Sequence, residues 1–137
     1  MDEQVKSELG FKVKLQGEFD EVEARVRQAL LEQGFGILTE INVKDTLKKK
    51  LDVDFRPYKI LGACNPPLAY KALNIDAAIG KFLPCNVTVD QLEEGLVRVS
   101  FLDPLMMSEF VDDPRIQPVA DDARARLERV AETLSEE

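Results

Sequence analysis

The sequence has no histidine, only two cysteines, and no long hydrophobic run. Without histidine there is no imidazole acid–base catalysis, no Ser-His or Cys-His nucleophile pair, and no histidine-containing metal site. The two cysteines, Cys64 and Cys85, cannot alone complete a zinc site of four cysteines, or of three cysteines and a histidine. No apolar stretch approaches the about 18–20 residues that a membrane helix needs, so no membrane span is expected. The opening residues MDEQVKSELG are charged and lack the apolar region of a secretory signal, so a cytoplasmic protein with reduced thiols is expected. Positive charge is outweighed: 18 Lys and Arg stand against 26 Asp and Glu, a formal net charge of −8. That mean field repels a phosphate backbone, so nucleic acid is not an expected partner. The one dense basic run, Lys48-Lys49-Lys50, reads as a solvated helix face.

What is present is enough for a core. The chain has 137 residues, 45% of them hydrophobic, which implies one domain over residues 1–137. Such a chain buries about 65–70% of its unfolded surface and needs neither disulfide nor metal to fold. The 32% charged content, with no histidine and few asparagines, is compatible with a thermophilic source.

Hydrophobic periodicity sets out the elements. Residues 9–16, LGFKVKLQ, alternate as a half-buried strand, with Leu9, Phe11, Val13 and Leu15 on one face and Lys12 and Lys14 on the other. A helix follows, with Asp20 and Glu23 as a capping box, Phe19 as staple, and Gly34 as the stop. Residues 35–43 form a second strand, with Phe35, Ile37, Thr39, Ile41 and Val43 on one face and Leu38, Glu40 and Asn42 on the other, and KDTLKKKL a short helix with its lysines toward the C-terminal end. PYKILGAC, apolar on both faces, is a third strand inside the sheet, followed by a helix at about 66–75. FLPCNVTVDQ begins a fourth strand at about 82, and Glu93-Glu94-Gly95 turns it into a fifth, LVRVSFL, as an antiparallel hairpin. Residues 103–118 read as a proline-broken loop, and a last helix spans about 118–134. The order β-α-β-α-β-α-β-β-α implies an α+β fold: a twisted, mainly antiparallel sheet with helices packed on one face.

Three stretches carry a family likeness. YKILGACNPPLAYKALNIDAAIGKFLPCNVTV with VRVSFLDP, and the earlier GFGILTEINVKDTLKKKL, resemble the bacterial and archaeal family catalogued as domain of unknown function 302. The resemblance covers nearly the whole chain. It implies a fold similar to the TATA-binding-protein-like group, in which helices grip a curved antiparallel sheet. It implies no activity, cofactor or catalytic residue, and fold does not choose function.

The CNP and LPCN motifs hold the candidate site: Cys64, Asn65, Cys85 and Asn86, with Tyr70 nearby. Asn65 stands before Pro66-Pro67, so it reads as a helix N-cap accepting from the Leu68 amide. The same prolines remove first-turn donors that would stabilise a thiolate or an anion. Alternation places Cys85 with Leu83, Val87 and Val89 as a core thiol, with a ligand pocket and a metal or redox pair with Cys64 as alternatives. If the intervening helix runs back along the third strand, the usual outcome, the thiols lie at opposite ends of the sheet; if it lies crosswise, they can meet. Glu40 reads as a solvated carboxylate, Tyr58 and Tyr70 as aromatics at the edge of the core, and Asn42 and Asp103 as polar groups near element ends.

The leading expectation is a non-enzymatic domain without cofactor, binding a small apolar ligand or a partner protein between sheet and helices near LPCN. The alternative is thiol-dependent redox or soft-metal handling by Cys64 and Cys85. A homodimer is also expected, from the cluster Leu105, Met106, Met107, Phe110 and Val111 where polar loop residues would be usual.

Overall fold

The computed structural model describes residues 10–136, so the expected strand residue Leu9 and the rest of the opening segment lie outside the described residues. Five strands form one sheet: β1 (Gly10–Gln16), β2 (Gly36–Asn42), β3 (Tyr58–Cys64), β4 (Cys85–Glu93) and β5 (Leu96–Leu102), in spatial order β1-β5-β4-β3-β2. Every pairing is antiparallel. The expected α+β architecture is therefore present, with the sheet antiparallel throughout.

The helices are α1 (Phe19–Glu32), α2 (Val43–Leu51), α3 (Pro66–Ile75), α4 (Met106–Phe110) and α5 (Ile116–Glu136). A 3-10 turn, Ala77–Phe82, follows α3 where the fourth strand was expected to start, and a cis Leu83–Pro84 bond precedes β4. The expected loop 103–118 contains α4 instead, because Met107 and Val111 are buried rather than turned to solvent.

Two further expectations are corrected. The capping box at α1 does not form: Glu18 occupies the cap, no side chain bonds there, and Glu23 is buried and turned toward Arg27 and Lys59. Strand β2 does not keep simple alternation, because its register slips between Ile37 and Thr39. One extra residue moves each later side chain to the other face. Glu40 then stands opposite Leu61 on the helix-bearing side, and Ile41 opposite Ile60 on the other.

The main core lies between the sheet and α1 and α5. Val22, Val26, Ala29 and Leu30 from α1 and Leu127, Val130 and Leu134 from α5 meet Leu15, Leu61, Val87, Val89, Val97, Val99 and Phe101. The first turns of α5 belong to a second cluster, where Ile116, Val119, Ala120 and Ala123 pack with Leu68, Ala72, Ile79 and Met107. Helix α5 thus joins two cores through one apolar stripe.

Candidate functional site

Asn65 performs the role its sequence predicts. Its Oδ1 accepts from the Leu68 amide at 3.3 Å, and the helix begins with prolines at its first two positions. The Asn65 Nδ2 also donates to the Gln33 carbonyl at 3.4 Å, which joins the start of α3 to the end of α1. The chain reverses there at Gly34, whose φ of +86° favours glycine.

The two cysteines lie at the same end of the sheet, contrary to the usual outcome for a strand–helix–strand unit. β3 and β4 are antiparallel neighbours with Ala63 opposite Cys85, so the end of one strand lies beside the start of the next. Helix α3 does not travel back along β3; it packs against α5 and the 3-10 turn. Both cysteines are free, partly buried thiols on one narrow crevice, whose walls also include Phe35, Leu68, Leu83 and Met107. Desolvation, then the neighbouring Cys64, pushes the Cys85 thiol up to about 11. This is the opposite of nucleophile activation. The space open to a water-sized molecule in the crevice is about 30 Å³, the scale of a water or two.

Asn86 and Tyr70 do not join this group. Asn86 is exposed on β4. Tyr70 is 71% exposed on the outer side of α3 rather than at the edge of the core. Among the described residues, no group of three or more His, Cys, Asp or Glu side chains is placed to hold a metal ion. Nor is any helix among them long and apolar enough to cross a membrane.

The remaining polar candidates have structural partners. Asn42 caps α2 by accepting from the Asp45 amide at 3.0 Å. Asp103 accepts from Arg124 at 2.7 Å. Glu40 is not simply solvated: it closes a ring of alternating charge with Arg27, Glu23 and Lys59, in which Lys59 stands 2.9 Å from Glu23 and 3.2 Å from Glu40. The hydrogen bond from Lys59, reinforced by Arg27, holds the Glu40 carboxyl below its ordinary range.

A second surface emerges only from the strand order. No residue of the sheet face opposite α1 and α5 belongs to either core. Its middle row runs Lys12, Ser100, Thr88, Ile60, Ile41 across the five strands. The next row runs Lys14, Arg98, Asp90, Tyr58. The open face is therefore basic toward β1 and β5 and apolar toward β3 and β2, where Ile41 is 48% exposed. Asp90 is its one carboxylate among these rows, and it is buried. Arg98 holds it side-on through Nε at 3.1 Å and Nη2 at 2.9 Å, and Arg56 Nε adds a third bond at 3.1 Å. Such bidentate, charge-assisted pairing fixes both side chains. A shallow depression of about 230 Å³ lies over Tyr58, Thr88, Asp90, Arg98 and Ser100. Sequence reading found Lys12 and Lys14 on the outer face of β1 but missed this surface. The available signal was the polar positions Thr88, Asp90, Arg98 and Ser100, spaced two apart in two strands that a turn already paired.

Known proteins share this fold. The family described as "Domain of unknown function DUF302" matches residues 11–134. A solved structure, the crystal structure of uncharacterized conserved protein DUF302 from Bacillus stearothermophilus, superposes with a TM-score of 0.81 at 31% identity, covering 90% of this chain and 96% of that one. Comparison with curated proteins finds no match.

Proposed function

The chain belongs to the DUF302 family, and we propose that it is a non-enzymatic interaction domain whose open sheet face receives an acidic partner protein. One observation carries this reading: in a chain of net charge −8, the two middle rows of this face bring Lys12, Lys14 and Arg98, with Arg56 beside them, together around one carboxylate, Asp90. The apolar side chains Ile41 and Ile60 stand beside these cations. A partner with carboxylates flanking apolar side chains complements both halves, and its approach is steered by charge. A nucleic acid would meet the repulsion of the whole chain for only a few cations. Likeness to the TATA-binding-protein-like group, where an open sheet is also gripped from behind by helices, enters this proposal as architecture alone.

The crevice near LPCN gives less support to a small apolar ligand, because its free space is about 30 Å³. Homodimerisation is a second reading. Its remaining support is the exposed Phe110, stacked on Phe82 at 5.7 Å. Exposed Leu73, which reaches toward Gly80 just before that ring, extends the patch. A cytoplasmic, thermophilic setting is part of the same proposal; the ring of ion pairs around Lys59 is in keeping with it.

The test is selection of random displayed peptides on the folded protein, with Lys14→Glu and Ile60→Asp variants as counter-screens. The expected result is enrichment of acidic peptides with apolar residues, bound less tightly by both variants and at higher salt. Neutral or basic consensus peptides, indifference to both variants, or stronger binding of duplex DNA would overturn the reading.

A further inference from the structure

Across the middle of the open face, β4 and β5 place Thr88 directly opposite Ser100, and Asp90 directly opposite Arg98. Tyr58 of β3 stands opposite Asp90 on the other side. The four residues of β4 and β5 alternate with the core residues Val87, Val89, Val99 and Phe101, so their side chains share the face away from the helices. With Tyr58 they line the depression of about 230 Å³. We propose that this depression receives one carboxylate group, that of an aspartate or glutamate side chain of the acidic partner. The inference rests on the open-face reading above and names the pocket in which that partner is anchored.

The chemistry of the lining selects the ligand. Directly opposite residues hold their Cβ atoms about 4.5–5.5 Å apart, so the Thr88 and Ser100 hydroxyls can flank one small group. Among the described residues, the hydroxyls of Thr88, Ser100 and Tyr58 make no hydrogen bond to another protein group. Each is a donor open to a ligand. The carboxylate of the depression is not an open acceptor. Asp90 is 1% exposed, its Oδ1 accepts from Arg98, and its Oδ2 accepts from Arg98 and Arg56. A metal cation or an ammonium group would meet two guanidinium groups and no unengaged carboxylate. An anion meets hydroxyl donors in a positive field.

The cations are fixed before a ligand arrives. Two hydrogen bonds to Asp90, at 3.1 and 2.9 Å, hold Arg98. Arg56 is held by Asp90 at 3.1 Å, and its guanidinium carbon lies 4.7 Å from the centre of the Phe55 ring and 5.6 Å from that of Tyr58. Exposed Lys14 adds positive charge opposite Arg98 on β1. Groups already held lose little conformational entropy on binding. The space takes a carboxylate and the short carbon chain that carries it, and the depression is shallow enough to leave that chain attached to a partner outside. At net charge −8, the chain as a whole repels a doubly charged phosphate more strongly than a singly charged carboxylate.

The test is an NMR titration of the full chain at constant ionic strength. The probes are propionate, which is the side-chain fragment of glutamate, propionamide, inorganic phosphate, and a blocked peptide carrying one glutamate between leucines. The expected result is saturable shifts at Thr88, Ser100 and the Arg98 Nε–H with propionate and with the peptide, and none with propionamide. Thr88→Val and Ser100→Ala should each weaken both ligands about 10-fold, since each removes a hydrogen bond to a charged group. Both residues are half-buried and belong to neither core, so the variants keep the fold. Neither variant alters the charge that steers an acidic partner. Undiminished peptide binding in both variants, with loss in Lys14→Glu, would overturn the pocket and leave the open-face reading standing. Peptide shifts confined to residues off the open face would overturn both. No saturable shift with propionate or the peptide, equal shifts with propionamide, binding of propionate without the peptide, or tighter binding of phosphate than of propionate would each overturn the proposal.

Discussion

The Nδ2 of Asn65 lies 3.4 Å from the carbonyl oxygen of Gln33, so the residue that starts α3 also holds the end of α1. Arg126 reaches the same carbonyl through Nη1 at 3.1 Å, drawing α5 into the junction. Asn65→Ala removes both the cap and this second bond. The expected loss is about 1–3 kcal/mol, from about 0.5–2 for the cap and about 1 for the hydrogen bond. Asn65→Asp keeps the acceptor and loses the donor, so it should fall between. Urea unfolding measures both, and an unchanged midpoint for the alanine variant would show that Asn65 holds neither helix.

Gly62 and Gly36 make a contrasting pair on β3 and β2. A Cβ at Gly62 would lie 2.1 Å from Thr39 Oγ1 and 2.7 Å from Pro84 Cγ, whereas one at Gly36 would meet nothing within 4 Å. Gly62→Ala should cost about 1–3 kcal/mol by overpacking, with Gly36→Ala near neutral. Equal thermal midpoints for the two variants would contradict the close approach of Pro84 to the sheet.

The ring of Glu23, Arg27, Glu40 and Lys59 gives a pH window of stability. Glu40 has a lowered folded pKa, caused first by its hydrogen bond with Lys59, so its contribution is present above the ordinary value of 4.5 and is lost as pH falls through the folded value. Lys59 has a raised folded pKa, caused first by its hydrogen bond with Glu23, so its contribution is complete below the ordinary 10.5 and is lost as pH rises through the folded value. Lys59→Met should destabilise by about 1–3 kcal/mol near neutral pH, because Glu23 is buried and loses a charged partner. The difference from the parent should shrink toward both extremes. Urea unfolding at acid, neutral and alkaline pH checks this; a difference constant across that range would exclude the ring as its source.

Cys85 should resist alkylation near neutral pH and react with a rate that climbs through about pH 11, the range to which desolvation and then Cys64 push its thiol. Only the thiolate attacks, so a fast reaction near neutrality would require a cause absent from this crevice. Iodoacetamide labelling of the folded protein, read by mass spectrometry at each cysteine, provides the measurement.

Local chemistry was legible where one short segment decides the outcome. Asn65-Pro66-Pro67 specifies its own cap, and Glu94-Gly95 turns the β4–β5 hairpin, with Gly95 at φ +81°. The same reasoning misassigned Glu23, since a D-x-x-E spacing does not reveal that Lys59 waits across the sheet to claim the carboxylate. Alternation placed Lys12 and Lys14 correctly but could not follow β2 through its bulge, which moved Glu40 to the helix side. The placing of Cys64 and Cys85 at one end of the sheet, and the open face around Asp90, depend on which strands become neighbours. Long-range pairing sets that, and no window of sequence contains it.

The strand order also dictates when a growing chain can finish its sheet. β1 and β2 leave the ribosome in succession, yet they stand at opposite edges, and among the described residues β1 pairs with β5 alone. Residues 10–16 must therefore wait for residues 96–102, while β2, β3 and β4 can assemble as each appears. Non-local closure of this kind slows folding. Until it happens, both β1 and the free side of β4 or β5 offer unpaired backbone to other chains. A chain truncated before β5 would keep that exposed edge permanently.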